Sequence, residues 1–222
     1  MTTTAVLLSA GLDSAVLAAS EARRGRVQPI YVSAGLAWEA SELAALARLL
    51  GEPPFAGALA PLARLSFTVE DLYPATHWAL RGEPPAFDTP DEDVYLAGRN
   101  VALLSKAAIY CARHGIGRVA LGPLAGNPFP DATAEFFDAM ARALSLGLAH
   151  PLAVDAPFAS MDKSAVIRLG LELGVPLALT LSCMNPQEGT HCGRCSKCRE
   201  RRDAFREAAV ADPTAYASAP IR

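Results

Sequence analysis

Ser9, Asp13 and Ser14 lie within the run Ser9-Ala10-Gly11-Leu12-Asp13-Ser14, and residues of these types so close together suit a chain of phosphates. Two hydroxyls can donate to phosphate oxygens, Asp13 can hold a Mg²⁺ that bridges them, and Gly11 lets backbone approach closely. Two cations further along join this chemistry. Arg99, in Gly98-Arg99-Asn100, and Lys163, after Ser160-Met161-Asp162, each fall in the first turn of an expected helix, where a cation opposes the helix dipole and calls for an anion. Arg99 suits a phosphate or a substrate carboxylate; Lys163 suits a phosphate, with a solvated surface charge as the alternative. Asn127, Asp131 and Glu135 could read the N–H edge of a substrate, although Asp131 and Asn100 are also well placed as helix N-caps.

The second chemical feature is the spacing Cys183-x8-Cys192-Gly193-x-Cys195-x2-Cys198. Four thiolates form the closed tetrahedral set that Zn²⁺ takes in structural sites, and two tight knuckle turns, the first eased by Gly193, match it. No coordination position is left open, so such a metal organises the chain and performs no chemistry. An iron–sulfur cluster uses the same ligand type. His191 is a spare ligand that four cysteines do not need. Cys111 stands apart in an apolar helical pattern and reads as a buried small hydrophobe.

These residues need a scaffold, and the chain supplies alternating strand and helix patterns. Ala5–Leu8 is an apolar run that opens through the Leu8–Ser14 turn into Ala15–Ala19, which reads as buried strand, tight turn and helix. Unpaired N–H groups at that helix start favour an anion. The helix stops at Gly25, and Val27–Val32 is the second strand. Ser41–Leu50 is a helix ended by Gly51, and Pro53–Ala60 carries strand character. Leu65–Ala97 is proline-interrupted and reads as a long loop with short helical turns, in which His77 and Trp78 have packing roles. Val101–Ala112, Ala132–Leu146, Lys163–Leu173 and Ser196–Ala209 are helices, while Arg118–Gly122 and Leu152–Val154 are strands. This alternation predicts an α/β fold with a parallel sheet covered on both faces, and ligands at the carboxyl ends of its strands. The expected division is a polyphosphate-binding α/β domain over 1–180 and a small helical zinc-binding region over 181–222.

Composition narrows the partners. With 51% hydrophobic and 19% charged residues the chain is globular, and a net charge of −3 gives no electrostatic footprint for nucleic acid. No apolar run approaches a membrane span, and Met-Thr-Thr-Thr lacks a basic signal-peptide start, so a cytoplasmic location and a small-molecule substrate are expected.

The run Ser9–Ser14 resembles the PP-loop of ATP pyrophosphatases, Ser-Gly-Gly-x-Asp-Ser, with Ala10 in place of the first glycine. The resemblance extends along nearly the whole chain. The PP-loop, Gly98-Arg99-Asn100, Pro130-Asp131 with Glu135-Phe136, Asp162-Lys163, and Thr180-Leu181-Ser182-Cys183 leading to the other cysteines and Arg201 follow the order found in 7-cyano-7-deazaguanine synthases. Membership implies an enzyme of queuosine-type biosynthesis, commonly dimeric, using ATP, Mg²⁺ and structural Zn²⁺. It implies conversion of a deazapurine carboxylate, 7-carboxy-7-deazaguanine, and ammonia into the nitrile through adenylated intermediates. Asp13, Lys163 and Arg99 would then serve the phosphates, and Arg201 could point toward the ATP site. Residues 31–39 lack the family's Gly-Gln-x-His, the loop 122–131 lacks its acidic and tyrosine residues, and Met184 replaces an aromatic. Two further readings stand beside this one: a PP-loop ligase for another carboxylate or carbonyl, and a zinc-stabilised nucleotide-binding module without turnover.

Overall fold

Strand β1 (Thr3–Leu7) is the centre of the molecule, and Ala5 and Val6 are fully buried from both sides. It pairs with β2 (Arg26–Ser33) on one side and β4 (Arg118–Ala120) on the other; β3 (Ala63–Ser66) and β5 (Ala153–Asp155) complete the edges. The order β3-β2-β1-β4-β5 is parallel throughout, as expected for strands that read as continuous apolar runs. The computed structural model describes residues 2–218, so the last four positions of the expected region 181–222 lie outside the described residues.

The helices are α1 (Leu12–Ala22), α2 (Glu39–Leu50), α3 (Trp78–Arg81), α4 (Arg99–His114), α5 (Ala134–Leu148), α6 (Lys163–Glu172) and α7 (Ser196–Glu207). They bury both faces of the sheet. Val16, Leu46, Val166 and Phe205, from α1, α2, α6 and α7, share one apolar cluster. Leu104, Ala108 and Phe137, from α4 and α5, share the other. Cys183, Cys192, Cys195 and Cys198 belong to the first cluster, so the cysteine segment packs directly on the core that supports β1. Among the described residues no helix is long and apolar enough to cross a membrane.

Two elements depart from the sequence reading. Pro53–Ala60 forms turns, because two consecutive prolines remove ladder donors; the third strand is Ala63–Ser66, paired with Ile30–Ser33 of β2. Helix α2 begins at Glu39, earlier than Ser41. The Glu39 carboxylate accepts from the Ala34 and Gly35 amides at 2.6 and 3.3 Å and also bonds the Ser33 hydroxyl, folding the turn after β2. The segment 65–97 is largely the expected loop. Trp78 stacks on Trp38 with ring centroids 5.8 Å apart, and His77 caps α3 by accepting from the Ala79 amide.

Chain order reverses at β1, with β2 on one flank and β4 on the other, which opens a crevice at the strands' carboxyl ends. The Ser9–Ser14 turn lies there.

Candidate functional site

The turn from β1 into α1 is held under tension. Ala10 adopts φ +63, a left-handed conformation that costs a residue with a β-carbon about 1–2 kcal/mol. It is fully buried, and its carbonyl accepts from the Leu181 amide at 2.9 Å, which ties the turn to the segment before the cysteines. Gly11 occupies the N-cap position of α1 with no side-chain cap, so the first-turn amides remain available to an anion. The Ser14 hydroxyl donates to the Gly11 carbonyl at 3.0 Å and accepts from the Ser9 amide at 3.3 Å, bracing the turn internally.

Lys163 opens α6, whose N-cap is Asp162, accepting from the Ala165 amide at 2.7 Å. Its ammonium is mostly buried, not a solvated surface charge: Nζ is 3.1 Å from Asp13 Oδ2 and is also paired with Glu200, which in turn pairs with Lys197 at 2.6 Å. Burial works against the Lys163 charge, but the Asp13 and Glu200 carboxylates outweigh it and hold the ammonium above the ordinary lysine range.

Arg99 is the first residue of α4, which starts two residues earlier than the sequence suggests because Gly98 turns the chain at φ +74. Asn100 is therefore inside the helix and does not cap it. Instead its amide donates to Asp131 Oδ2 at 3.0 Å and its Nδ2 to the Asp131 carbonyl at 2.8 Å. Asp131 thus satisfies the start of α4 from across space. It does not cap α5, whose N-cap is Thr133, accepting from the Phe136 amide at 3.1 Å. Burial raises the Asp131 carboxyl above its usual range.

Two adjoining cavities meet at the turn, of about 290 and 410 Å³. Both are lined by Ser9, Gly11, Asp13, Glu42, Arg99 and Asn127. The smaller runs between the apolar ends of the strands, past Leu7, Leu8, Ile30, Val32 and Leu121, and reaches Ser14, Asn100 and Asp131. The larger reaches Leu12, Trp38, Trp78, Lys163, Met184 and Glu200. Ala10 lies beneath the turn and lines neither, and Glu135 is exposed and lines neither. Among the described residues three buried side-chain polar atoms lack a hydrogen-bond partner: Asp13 Oδ1, Arg99 Nε and Ser196 Oγ. Each such orphan costs about 1–3 kcal/mol. Two of the three belong to residues shared by both cavities, one anionic and one cationic, which marks a place kept for a charged ligand.

Glu42 and Tyr31, on no motif of the sequence, also line the site. The Tyr31 hydroxyl donates to Glu42 Oε2 at 2.9 Å, and burial, opposed by the Arg99 charge, pushes the Glu42 carboxyl up to about 7. Burial and the Glu42 carboxylate push the Tyr31 phenol up as well. The only available signal was Glu42's position on the helix face that also carries Ala45, Leu46 and Leu49, an acidic residue where the pattern calls for an apolar one. Glu200, among the arginines of α7, gave no such signal.

The four cysteines do converge. All four are buried, and their sulfur atoms lie within 4.8 Å of one another. Separations of 4.0 Å for Cys183–Cys195, 3.8 Å for Cys192–Cys198 and 3.5 Å for Cys195–Cys198 bracket the roughly 3.8 Å edge of a zinc–thiolate tetrahedron. Backbone amides approach the sulfurs: Asn185 and Cys192 at 3.3 and 3.2 Å from Cys183, Gly193 at 3.4 Å from Cys198, and Arg194 at 3.4 Å from Cys192. Gly193, at φ +80, turns where a β-carbon would sit 2.4 Å from the Ser218 carbonyl oxygen. The cluster can hold a metal ion. His191 is not needed: its Nε2 accepts from the Ser182 amide at 3.1 Å, and burial lowers its pKa to about 3.

Arg201 does not reach the phosphate turn. It is fully buried, donating to Thr180 Oγ1, Ser182 Oγ, the Leu177 carbonyl and Thr214 Oγ1 at 2.6–3.1 Å. It clamps α7 to the segment that supports Ala10.

A parallel α/β sheet whose central strand runs into an open helix N-terminus, flanked by a buried lysine–carboxylate network, is a PP-loop-type architecture. Within that class the sequence is decisive. Residues 3–209 match the family described as queuosine biosynthesis protein QueC, and the chain belongs to that family. It is 33% identical to a 7-cyano-7-deazaguanine synthase of Methanopyrus kandleri, over 97% of this chain and 99% of the relative. Relatives of the same name in Anaeromyxobacter dehalogenans and Methanothrix thermoacetophila are each 35% identical, covering 96% and 95% of this chain and 94% and 96% of their own lengths.

Proposed function

We propose that this chain is an ATP-dependent ligase that converts 7-carboxy-7-deazaguanine and ammonia into 7-cyano-7-deazaguanine. Family membership supplies the substrate class. The observation that carries the reading is the pair of buried, unpartnered atoms Asp13 Oδ1 and Arg99 Nε, whose residues line the same two cavities as the uncapped start of α1. Asp13 Oδ1 would hold a Mg²⁺, and Arg99 with the α1 amides would hold the phosphates.

A carboxylate is a poor electrophile, and ATP supplies an adenylyl group that makes its oxygen part of a leaving group. The carboxylate oxygen bonds to the α-phosphorus as the bond to the bridging oxygen of the β-phosphate breaks and pyrophosphate departs. Ammonia displaces AMP from the acyl carbon, leaving the amide after proton loss. The amide oxygen is activated in the same way by a second ATP, and loss of AMP with the remaining two N–H protons gives the nitrile. The protein's part is positioning and neutralisation: the turn amides, Ser9, Asp13 with Mg²⁺, Lys163 and Arg99 face the charge that develops on the departing pyrophosphate. Leu7, Ile30, Val32 and Leu121 offer an apolar slot for adenine, and Glu42 and Asn127 offer polar atoms to the deazaguanine N–H edge. Cys183, Cys192, Cys195 and Cys198 would hold a Zn²⁺ that organises the segment from residue 181.

Pyrophosphate release, measured with ATP, Mg²⁺ and ammonium, with and without 7-carboxy-7-deazaguanine, tests this. Release that depends on the carboxylate, with a nitrile identified by mass spectrometry, is the expected result. Protein that binds ATP but shows no stimulation by that carboxylate would overturn the assignment of the acceptor.

A further inference from the structure

Lys163 has two anions where the phosphate chemistry accounts for only one. Its ammonium lies between Asp13 Oδ2 and Glu200, and Glu200 comes from α7, two residues beyond Cys198. Glu200 lines the larger cavity beside Lys163 but is no part of the PP-loop. An isolated lysine at a helix start faces an unfavourable dipole, so a counter-anion is needed there whatever occupies the site.

We propose that Glu200 is a positioning residue for the ATP chemistry: it keeps Lys163 directed at the pyrophosphate when Mg²⁺ takes over Asp13. This rests on the ATP reading above. The argument is electrostatic. A divalent cation on Asp13 repels an ammonium held 3.1 Å from the same carboxylate. With Asp13 as its sole partner, Lys163 would either compete with Mg²⁺ or leave the site. The second carboxylate weakens its hold on Asp13 and anchors it after the metal arrives. Because α7 starts at the cysteine cluster, with Cys195 at its N-cap position and Cys198 in its first turn, the metal lobe sets where that anchor stands. The cluster thereby acts on a reaction it does not touch.

The test uses the full-length, metal-loaded chain carrying Glu200→Gln. The expected result is a kcat lowered about ten-fold, the scale of a small misplacement of one charged group, with the Mg²⁺ concentration for half-maximal rate raised several-fold. The KM for the acceptor and the bound metal per chain should be unchanged. Glu200→Asp, which keeps the charge, should recover part of the loss. In a Lys163→Ala background, Glu200→Gln should produce no further change in the Mg²⁺ dependence of ATP binding measured by calorimetry. The proposal is overturned if Glu200→Gln only lowers the melting temperature, or if its effect on Mg²⁺ dependence is the same with and without Lys163. Calorimetry needs no acceptor, so a wrong acceptor would leave this outcome readable, whereas absence of ATP binding in the parent chain would sink the nucleotide reading itself.

Discussion

The phosphate turn and the cysteine cluster use the same resource, backbone N–H groups, in opposite ways. At the cluster, the amides of Asn185, Cys192, Gly193 and Arg194 already aim at sulfur, and four buried thiols form a complete donor set. At the turn, α1 begins without a side-chain cap, and Asp13 Oδ1 and Arg99 Nε are buried without partners. One region is a closed donor set that can hold a single ion; the other keeps buried polar atoms without partners among the described residues.

The largest effect should follow from undoing the closed region. Chelation, or Cys195→Ser, is expected to abolish cooperative melting and soluble yield, since structural zinc sites contribute on the order of 10 kcal/mol. A chain that melts normally with no bound metal would erase the contrast. The open region should respond differently. Asp13→Asn is expected to lower pyrophosphate release by about 10²–10³-fold while the melting temperature stays near that of the parent, as removal of one transition-state contact does. A parent-like rate would remove Asp13 from the chemistry.

Glu42 sharpens the comparison through pH. Its folded carboxyl titrates near 7, above the ordinary value of 4.5, so the stability it contributes is fully present below about pH 4.5 and is lost as pH rises through about 7. Glu42→Gln should therefore be more stable than the parent at pH 8, by up to roughly 3 kcal/mol, and the gap should close by pH 4 in denaturant melts. A gap independent of pH would show that the carboxyl is not the cause. The smallest effect belongs to Ala10→Gly. Relief of the left-handed backbone, partly offset by lost packing, should raise stability by about 0.5–1 kcal/mol, read as a few degrees in a thermal melt, with turnover unchanged.

Local features were legible in the sequence because they are made of neighbours. The turn after β1, the knuckle spacing of the cysteines and the helix that starts at Lys163 each depend on a few consecutive residues, and each stands where its pattern placed it. What sequence reading missed lies between segments. The Asp131 carboxylate caps α4 from 31 positions away, so it reads locally as a cap for the wrong helix. Glu200 meets Lys163 across 37 positions, and the Arg201 clamp spans 13 to 24. Glu135 looked like a substrate contact from its place after a strand, but the helix phase turns it to solvent. The third strand moved because two prolines forbid a ladder where apolar content alone suggested one.

The Leu181 amide bonded to the Ala10 carbonyl, and the Arg201 clamp behind it, fix the order in which the molecule can be made. The turn is synthesised well before the segment that braces it. Until the cysteine segment has emerged, a nascent chain carries the turn after β1 without its brace and with Lys163 lacking Glu200. Such distant pairings close late in folding. The brace of the turn and the second partner of Lys163 therefore form only after the cysteine segment has been made.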